Sequence, residues 1–345
     1  MKNYNSEYKD YSKYIAIMIS TDRSIFNEKS AVRARMIEYS KLYKELHIII
    51  FSTKKYELIE ISENCNVYST NSLSRFLYTF NAYKIGKGIM REIDNSDNVL
   101  ITCQDPFETG FVGKRLIKLN KKAELLLQIH TDLFSPYFIK YSFLNKIRLY
   151  ISKITLPYAN TIRVVSNKIA DSLIKNGIDE NKIIVKPIDI NADLIKNGIP
   201  SFNLHEKFSK FNKIILMVSR LEFEKNIEMA LKAMKIVLQQ FPDSGLIIVG
   251  SGGEMYNLKK LAYNLKIEAS IVFVGWQTDL IPYYKGCDLF LNTSFYEGYG
   301  MTLKEAQIAE CKIVSTDVGI AREIGAKIVD WDEGDIARGV IDVLK

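Results

Sequence analysis

The stretch Phe295-Tyr296-Glu297-Gly298-Tyr299-Gly300-Met301-Thr302-Leu303-Lys304-Glu305 decides the fold class of the second half of this chain. The apolar run 287–291 before it predicts a buried strand, and the residues from Thr302 onward predict a helix. A glycine-containing loop between a strand and a helix directs backbone N–H groups at an anion above the helix N-terminus. Glu305 falls one turn into that helix. The stretch therefore predicts a site for a charged, hydroxyl-rich ligand such as a nucleotide-sugar.

The composition of the chain is typical of a globular protein. Of its 345 residues, 47% are hydrophobic and 25% are charged, and the length predicts about two domains. The cysteines at 65, 103, 287 and 311 form no C-x-x-C pair, and the three histidines are scattered, so we expect reduced thiols and no metal site. The polar first residues and the lack of a long apolar run predict a cytoplasmic protein without a signal peptide or membrane span.

The net charge of +7 is distributed unevenly along the chain. Residues 1–200 carry 30 Lys and Arg against 21 Asp and Glu, whereas residues 201–345 carry 17 against 19. A basic half joined to a nearly neutral half predicts that one domain meets an anionic surface.

Short apolar strands alternate with helical patterns throughout the chain, which predicts parallel α/β units. The predicted strands lie near 14–20, 47–52, 98–103, 124–129, 161–165, 182–185, 213–219, 245–249, 270–274, 287–291 and 312–315. Helix-breaking and polar residues between 187 and 212 predict a domain boundary there. We assign residues 1–200 and 201–345 to two doubly wound domains, whose strand C-termini would face a shared ligand across a cleft.

Two cations follow the first predicted strand of the second half. Arg220 ends the segment Val218-Ser219-Arg220, and Lys225 lies five positions further on, before a helical pattern. Arginine offers a planar fork of donors and lysine a compact point charge, a combination that suits a diphosphate. Solvated cations at the end of a loop are the alternative for either residue alone.

These two motifs resemble the E-x7-E and Arg-x4-Lys motifs of retaining glycosyltransferases of the GT-B fold, most closely glycosyltransferase family 4. The resemblance covers almost the whole chain. It implies two Rossmann-like α/β domains, an N-terminal acceptor-side domain (1–200) and a C-terminal donor-binding domain (201–345). It implies that Glu297 lies beside the donor sugar, that the loop backbone contacts sugar and phosphate, and that Glu305 binds the ribose hydroxyls. A helix first-turn acid that favours the macrodipole is the alternative for Glu305.

The site residues that the resemblance implies lie mostly in the second half. The donor-binding set is Arg220, Lys225, Gly250, Gly252, Gly275, Trp276, Glu297, Gly298, Tyr299, Gly300, Met301, Thr302 and Glu305. The catalytic set is His130, Arg220, Lys225 and Glu297. The loop Val249-Gly250-Ser251-Gly252-Gly253 is not a dinucleotide fingerprint, because Met255 stands where the third glycine would be. For Trp276, packing in the core is the alternative to contact with the base.

Two segments of the first half follow predicted strands. His130 ends the segment Leu127-Gln-Ile-His130, where family members often carry a histidine near the sugar; a structural histidine is the alternative. The segment Gln104-Asp105-Pro106-Phe107-Glu108-Thr109-Gly110 resembles a family stretch with an acceptor-side or structural role. The chain departs from the family in its first predicted βα loop, 21–30, which has no glycine. It also ends early, so we expect the last crossover helix of the family to be absent.

A basic and aromatic stretch spans residues 133–170, which contain no Asp or Glu. Its cations are Lys140, Lys146, Arg148, Lys153, Arg163 and Lys168, and its aromatic residues include Phe134, Tyr137, Phe138, Tyr141, Phe143, Tyr150 and Tyr158. Such a stretch suits an anionic membrane surface. It also suits nucleic acid, but no nucleic-acid motif accompanies it. A packed helix with a solvated basic face is the remaining alternative.

The resemblance implies a metal-independent hexosyltransferase without a cofactor, in which a nucleoside-diphosphate sugar such as a UDP- or GDP-sugar is the co-substrate. Its expected acceptor is a glycan or lipid-linked glycan in the synthesis of cell-surface polysaccharide or glycolipid, at the inner face of the membrane. Two alternatives stay open: an epimerase or hydrolase of nucleotide-sugars with the same fold, and a non-catalytic, membrane-associated binding subunit. Activity without an acceptor would indicate the first, and binding without turnover the second.

Overall fold

The computed structural model describes residues 9–140 and 142–345, and the chain forms two compact units. The first unit ends at Lys186 and the second begins at Pro187. The boundary therefore lies after residue 186 and not at the predicted position after residue 200, and residues 187–200 belong to the second unit. The physical reason is local: the Lys285 ammonium donates to the carbonyls of Lys196 and Gly198, both at 2.8 Å, which fixes this segment to the second unit.

The first unit is built on one sheet. Its strands are β1 (Tyr14–Ser20), β2 (Glu45–Ile50), β3 (Ile59–Ser62), β4 (Cys65–Ser69), β5 (Asn98–Cys103), β6 (Ala123–Ile129), β7 (Thr161–Val164) and β8 (Ile183–Val185). They lie in the order β3-β4-β2-β1-β5-β6-β7-β8. All neighbours pair in parallel except β3 with β4. The order reverses between β1 and β5, so the carboxyl ends of these two strands flank the open crevice of the sheet.

Helices connect these strands. They are α1 (Ala31–Ser40), α2 (Tyr78–Glu92), α3 (Glu108–Leu116), α4 (Pro136–Lys140), α5 (Phe143–Thr155) and α6 (Asn167–Lys175). Helices α2, α3 and α5 pack side by side. Ser30 caps α1 by accepting from the Arg33 N–H at 3.1 Å.

The second unit carries a six-stranded parallel sheet. Its strands are β9 (Lys213–Val218), β10 (Ser244–Val249), β11 (Ile271–Gly275), β12 (Leu289–Asn292), β13 (Ile313–Thr316) and β14 (Lys327–Val329). Its helices are α7 (Ala192–Asn197), α8 (Leu204–Lys207), α9 (Ile227–Gln240), α10 (Met255–Asn264), α11 (Ile281–Gly286), α12 (Met301–Ile308) and α13 (Glu333–Leu344). The strand order β11-β10-β9-β12-β13-β14 is the 3-2-1-4-5-6 order of a Rossmann fold.

The core of the second unit lies between the sheet and α9, α10 and α13. Helix α9 buries Ile227, Leu231 and Met234 at helical spacing, and α13 packs along it through Ile336 and Val340. The strands β9, β10, β12 and β13 are almost fully buried, as is typical of parallel strands covered on both faces. This core holds the carboxyl ends of the strands in fixed positions relative to one another.

The strand predictions are confirmed for all eleven predicted segments to within about two residues, a usual margin for boundaries. The sequence did not indicate β3, β4 and β14. In β4, Cys65, Val67 and Ser69 are buried and alternate with Asn66 and Tyr68, so the strand has little apolar signal. Strand β14 has only three residues. Across residues 9–140 and 142–345, no helix combines the length and hydrophobicity that a bilayer span requires.

Candidate functional site

The candidate donor site lies at the switch point of the second sheet, between the adjacent strands β9 and β12. The loop after β9 carries Arg220 and Lys225, and the loop after β12 carries Glu297. Ligands of open α/β sheets bind at the carboxyl ends of the two strands where the order reverses. The fold therefore brings together two motifs that lie more than 70 residues apart, at the position where such a sheet binds its ligand.

Lys225 and Glu297 form an ion pair within this site. The Lys225 Nζ lies 2.5 Å from the Glu297 Oε1, and their side chains are only 13% and 17% exposed. The Ser294 hydroxyl donates to the same oxygen at 2.9 Å. The structure thus brings the two residues into a direct contact that the sequence did not predict.

Arg220 has a carboxylate partner of its own. Its Nη2 donates to the Glu224 Oε1 at 2.8 Å, while most of the Arg220 side chain remains exposed. Glu224 was not singled out from the sequence, although its position four residues after an arginine is a spacing at which side chains pair on one face of a turn. Each of the two cations of the site is therefore held by an acid.

Hydrogen bonds to main-chain carbonyl groups join the loop after β12 to the loop after β9. The Phe295 N–H donates to the Glu224 carbonyl at 2.8 Å, and the Thr293 hydroxyl contacts the carbonyls of Lys225 and Asn226 at 3.1 and 3.0 Å. Asn226 has a φ of 49°, which is left-handed, and it precedes α9. Because the hydrogen bonds cross between loops, the position of Glu297 depends on the conformation around Lys225.

A second set of hydrogen bonds holds the loop after β12 through the carbonyl of Ser294. The Ser294 carbonyl accepts from the Thr316 hydroxyl at 2.7 Å and from the Trp331 indole N–H at 2.9 Å. Tyr299 is buried, and contact of its backbone with a ligand stays a prediction. Gly300 has a φ of 88° and stands directly before α12, where a left-handed conformation favours glycine.

Glu305 lies one turn into α12 and is partly buried. Its Oε2 accepts from the hydroxyl of the buried Tyr284 at 2.7 Å. Burial raises the pKa of Glu305, and the Tyr284 hydrogen bond opposes this shift. The tyrosine therefore orients the carboxylate, a contact for which the sequence gave no signal. Ribose binding by Glu305 stays a prediction.

The glycine loop after β10 packs against the loop after β9. A Cβ on Gly250 would lie 1.9 Å from the Ser219 carbonyl oxygen, and one on Gly252 would lie 2.3 Å from the Leu221 carbonyl oxygen. Leu221 N–H donates to the Ser251 carbonyl at 3.0 Å. These glycines are required because two backbones approach each other closely beside Arg220.

Gly275 ends β11, and Trp276 follows it at the same edge of the sheet. The Gly275 carbonyl accepts from the Gly250 N–H at 2.8 Å, which links this loop to the glycine loop. Trp276 is 71% exposed. Core packing of Trp276 is therefore wrong, and its indole ring is available to a ligand. Contact with a base stays a prediction.

In the first unit, His130 lies directly after β6. Desolvation of its ring and the positive charge of Arg163 lower the pKa of His130, so the imidazole is neutral at pH 7. The nearby Asp132 accepts from the Ser172 hydroxyl at 2.7 Å and so ties the loop to α6. A neutral imidazole can accept or donate a hydrogen bond at this edge, and a role near the sugar stays a prediction.

The glycine-free loop after β1 is held by Gln104. The Gln104 Oε1 accepts from the Thr21 N–H and the Ser20 hydroxyl, both at 2.9 Å. Gln104 follows β5, so its amide bridges the two strands that flank the switch point of the first sheet. This side chain fixes the course of the loop at the place where many family members have glycines.

Asp105 is a buried carboxyl at the N-terminus of α3. It accepts from the N–H groups of Phe107 and Thr109 at 2.8 and 3.3 Å. Burial, assisted by the negative charge of Glu108, raises the pKa of Asp105 from 3.8 to about 6. The folded state therefore binds this proton more tightly than the unfolded state, and the carboxyl costs stability above pH 6.

We expect Asp105→Asn to increase the free energy of unfolding at pH 7 by about 2–3 kcal/mol, since the amide keeps an acceptor oxygen and removes the buried charge. The gain should shrink as the pH falls from 6 to 4, because the native carboxyl then binds its proton. Urea unfolding at several pH values measures both effects. A gain that is equal at pH 7 and pH 4 would contradict this account.

Comparison with known proteins finds a family match within the second unit. Residues 202–334 match the family model described as Glycosyl transferases group 1. An uncharacterized glycosyltransferase of Methanocaldococcus jannaschii is 23% identical over 290 residues, which cover 81% of this chain and 70% of that protein. The N-acetylgalactosamine-N,N'-diacetylbacillosaminyl-diphospho-undecaprenol 4-alpha-N-acetylgalactosaminyltransferase of Campylobacter jejuni is 24% identical over 294 residues, with coverages of 83% and 76%.

Solved structures support the fold. HepE of Anabaena, solved in complex with UDP, matches with a TM-score of 0.70 at 18% identity. The match covers 95% of this chain and 89% of that one. At this identity the likeness concerns the fold, and the predicted GT-B fold class is confirmed.

Proposed function

We propose that the chain is a member of the glycosyl transferases group 1 family, whose model residues 202–334 match, and that it is a retaining hexosyltransferase that uses a nucleoside-diphosphate sugar. The proposed acceptor is a glycan or lipid-linked glycan in the synthesis of cell-surface polysaccharide or glycolipid. UDP is the first candidate nucleotide, because HepE was solved in complex with UDP. A lipid-linked acceptor is supported by the diphospho-undecaprenol in the name of the Campylobacter relative.

The observation that carries the proposal is the pairing of Lys225 with Glu297 at the switch point. A diphosphate bound at this edge would offer Lys225 a second anionic partner. As the ammonium turned to the phosphate, the Glu297 carboxylate would be free to accept from hydroxyls of the sugar. The contact between Lys225 and Glu297 would thus become two contacts with the donor, one at each side of the bond that breaks.

Charge stabilisation of the leaving group is the main catalytic effect in this proposal. Negative charge develops on the diphosphate as the bond to the sugar breaks, and Arg220 and Lys225 would stabilise it. This arrangement needs no metal ion. In this proposal Glu297 binds hydroxyls of the sugar and forms no covalent bond with it. We therefore propose that the acceptor hydroxyl attacks from the face of the leaving group and gives its proton to the departing phosphate.

The test of the proposed function has three steps. Calorimetric titration with UDP and GDP identifies the nucleotide, and a screen of acceptors with the matching sugars identifies the reaction. The NMR coupling of the anomeric proton in the product then reports its configuration, with and without EDTA. Inversion of configuration would contradict the mechanism, and loss of turnover in EDTA would contradict metal independence. Release of free or epimerised sugar without any acceptor would favour the hydrolase or epimerase instead.

Glu224 offers a separate test of the charges in this site. We expect Glu224→Gln to increase the affinity for UDP about two- to fivefold, because Arg220 no longer has to leave an exposed ion pair, which is worth about 0.2–1 kcal/mol. Calorimetry measures the change. Glu228→Gln is the matched control, since Glu228 pairs with Lys232 on α9 at 2.7 Å. Weaker UDP binding by Glu224→Gln would show that Glu224 orients Arg220 for the ligand instead of competing with it.

We also propose that the first unit binds an anionic membrane surface through residues 133–170. Helix α5 supports this, because Phe143, Ile147 and Tyr150 lie on its solvent side and are exposed. Lys146 and Lys153 are exposed on the same helix. Exposed aromatic and aliphatic side chains beside lysines are typical of helices that lie in the interface of a bilayer.

A further inference from the structure

Two cysteines of the second unit lie side by side at the amino ends of neighbouring strands. Cys287 stands two residues before β12, and Cys311 stands two residues before β13. The two strands pair in parallel, and the Sγ atoms of the two cysteines are 3.8 Å apart. The donor loops follow the carboxyl ends of the same sheet, so the thiol pair lies at the opposite edge, outside the candidate donor site.

Main-chain hydrogen bonds hold both cysteines in place. The Phe290 N–H donates to the Lys312 carbonyl at 2.8 Å, which joins the two chain segments just beyond the cysteines. The Cys311 N–H donates to the Ala306 carbonyl at 2.9 Å. Glu310 has a φ of 63°, the left-handed conformation in which helices such as α12 commonly end. Each sulfur atom therefore stays within reach of the other.

The distance between the two sulfur atoms suits a reversible disulfide. An S–S bond is about 2.05 Å long, so the sulfur atoms would have to approach each other by roughly 1.8 Å. A rotation of one cysteine side chain about its Cα–Cβ bond covers a distance of this order. Both thiols are free and half-buried, and they line a cavity of about 300 Å³ together with Lys213 and Lys312. A small water-soluble oxidant can reach them there.

The other two cysteines differ from this pair. Cys65 and Cys103 are buried in the first unit on β4 and β5, and β2 and β1 lie between those strands. Burial raises the pKa of the Cys65 thiol to about 12, and it raises the pKa of the Cys103 thiol as well. Buried thiols that stay protonated react slowly. These two cysteines therefore serve as an internal reference for the chemistry of the pair.

Both thiols of the pair contact one carbonyl group at the end of α11. The Tyr284 carbonyl oxygen lies 3.0 Å from the Cys311 Sγ and 3.4 Å from the Cys287 Sγ, so it can accept from both S–H groups. A carbonyl in the last turn of a helix has no partner within the helix. The hydroxyl of the same tyrosine donates to Glu305 at 2.7 Å, and its ring packs on Phe290. Tyr284 therefore connects the thiol pair to a residue that is predicted to bind the donor.

We propose that Cys287 and Cys311 form a dithiol site that a peroxide closes to a disulfide, and that this closure weakens the hydrogen bond between Tyr284 and Glu305. A disulfide carries no S–H group, so the Tyr284 carbonyl loses both donors as the sulfur atoms turn towards each other. The last turn of α11 then has to find other partners, and the tyrosine side chain moves with it. The effect on donor binding rests on the proposed function, in which Glu305 binds the donor.

The oxidation proceeds in two steps. The hydrogen bond to Cys311, assisted by burial, raises the pKa of the Cys287 thiol, so Cys311 makes the first attack. Its sulfur attacks one oxygen of hydrogen peroxide, the O–O bond breaks, and a sulfenic acid and one water result. The Cys287 sulfur then attacks the sulfenic sulfur, the S–S bond forms, and the hydroxyl group leaves with the Cys287 proton as a second water. Two thiols lose two protons and two electrons, and the peroxide is reduced to two water molecules.

Mass spectrometry and calorimetry of the full chain after exposure to hydrogen peroxide test the site. We expect a cross-linked peptide that joins residues 287 and 311, with Cys65 and Cys103 unmodified, and dithiothreitol should restore both thiols. UDP should bind about three- to tenfold more weakly to the oxidised chain, the effect of losing one hydrogen bond, and reduction should restore the affinity. Oxidation of Cys311 to a sulfinic acid without a cross-link overturns the proposal. A cross-link that leaves UDP affinity unchanged overturns it as well.

The double variant Cys287→Ser, Cys311→Ser is the matched control. Its hydroxyls can still donate to the Tyr284 carbonyl but cannot be cross-linked, so its UDP affinity should equal that of the reduced chain and should not respond to peroxide. An equal loss after peroxide in this variant overturns the proposal. Recovery of the native chain on reduction needs no substitution, so it decides the question if the variant fails to fold.

Tyr284→Phe tests whether the effect passes through the tyrosine hydroxyl. Removal of the hydroxyl should weaken UDP binding by about the same factor as oxidation does, since the same hydrogen bond to Glu305 is lost. Oxidation of this variant should then add little. A further loss of full size after oxidation would show that the disulfide acts by another route, which overturns the proposal.

The carboxyl group of Glu305 reports the coupling without a ligand. Its carbon-13 resonance, assigned with Glu305→Gln, should titrate at a higher pH after oxidation, because the Tyr284 hydrogen bond that lowers its pKa is lost while burial remains. A cross-link and a shifted titration in a chain that binds no nucleotide would uphold the dithiol site and contradict the proposed function. Sugar transfer by a chain that forms no cross-link would do the reverse.

Discussion

Replacing Lys225 with alanine is expected to reduce kcat/KM for the nucleotide-sugar about 10²–10³-fold, the effect of removing one preorganised charge from a transition state. The ammonium is mostly buried and contacts Glu297, so a cation from the solvent cannot easily replace it. Its loss removes a charge that stabilises the leaving diphosphate. Steady-state kinetics with the donor identified by calorimetry measure the loss.

The same substitution also affects stability, and this effect has to be separated from catalysis. Lys225→Ala leaves the Glu297 carboxylate half-buried without its cation, which destabilises the native state. The double variant Lys225→Ala, Glu297→Gln removes the unpaired charge. We expect it to recover much of the free energy of unfolding and none of the activity.

Lys232→Ala is the matched control for Lys225→Ala. Lys232 pairs with Glu228 at 2.7 Å on the exposed side of α9, close in sequence but in a surface ion pair. Such pairs contribute about 0.3–0.5 kcal/mol, so activity should be unchanged. Native turnover in Lys225→Ala would contradict the assignment of Lys225 to the donor site.

Gly250→Ala is expected to destabilise the second unit by several kcal/mol and to abolish UDP binding. Gly250 has a φ of 137°, a conformation that only glycine adopts readily, which alone costs about 1–3 kcal/mol for another residue. The added Cβ would also meet the Ser219 carbonyl oxygen at 1.9 Å. The strand ends would have to separate, and the loop that carries Arg220 would move with them.

Gly253→Ala is the matched control in the same loop. A Cβ there meets only the Glu222 carboxylate, at 3.9 Å, and the backbone is unstrained. Urea unfolding and calorimetry with UDP compare the two variants. We expect Gly253→Ala to behave as the native chain does, within about 1 kcal/mol. A fully stable Gly250→Ala would show that the two loops can separate without loss of the fold.

Much of the fold was predictable, because buried parallel strands carry an apolar signal that is independent of their partners. The runs that became β1, β9 and β10 consist mostly of apolar residues, with Ile the most frequent. Strands β4 and β14 were missed because the first mixes polar with apolar residues and the second is too short. Their positions depend on neighbours far away in the sequence.

The candidate site was predictable in its motifs but not in its contacts. Arg220, Lys225 and Glu297 were identified by residue type and spacing. The pairing of Lys225 with Glu297 was not, because no local pattern relates residues 72 positions apart. The support of Glu305 by Tyr284 was missed for the same reason: α11 and α12 are brought together by the sheet.

The switch point has a consequence for how the second unit folds. One half of its sheet, β9 to β11, supplies both cations, and the other half, β12 to β14, supplies both carboxylates. Neither half alone can form the site. A donor that binds both halves therefore acts as a non-covalent cross-link between two parts of the chain, and its binding energy adds to the cooperativity of unfolding. Loss of either half would therefore abolish donor binding completely and not merely weaken it.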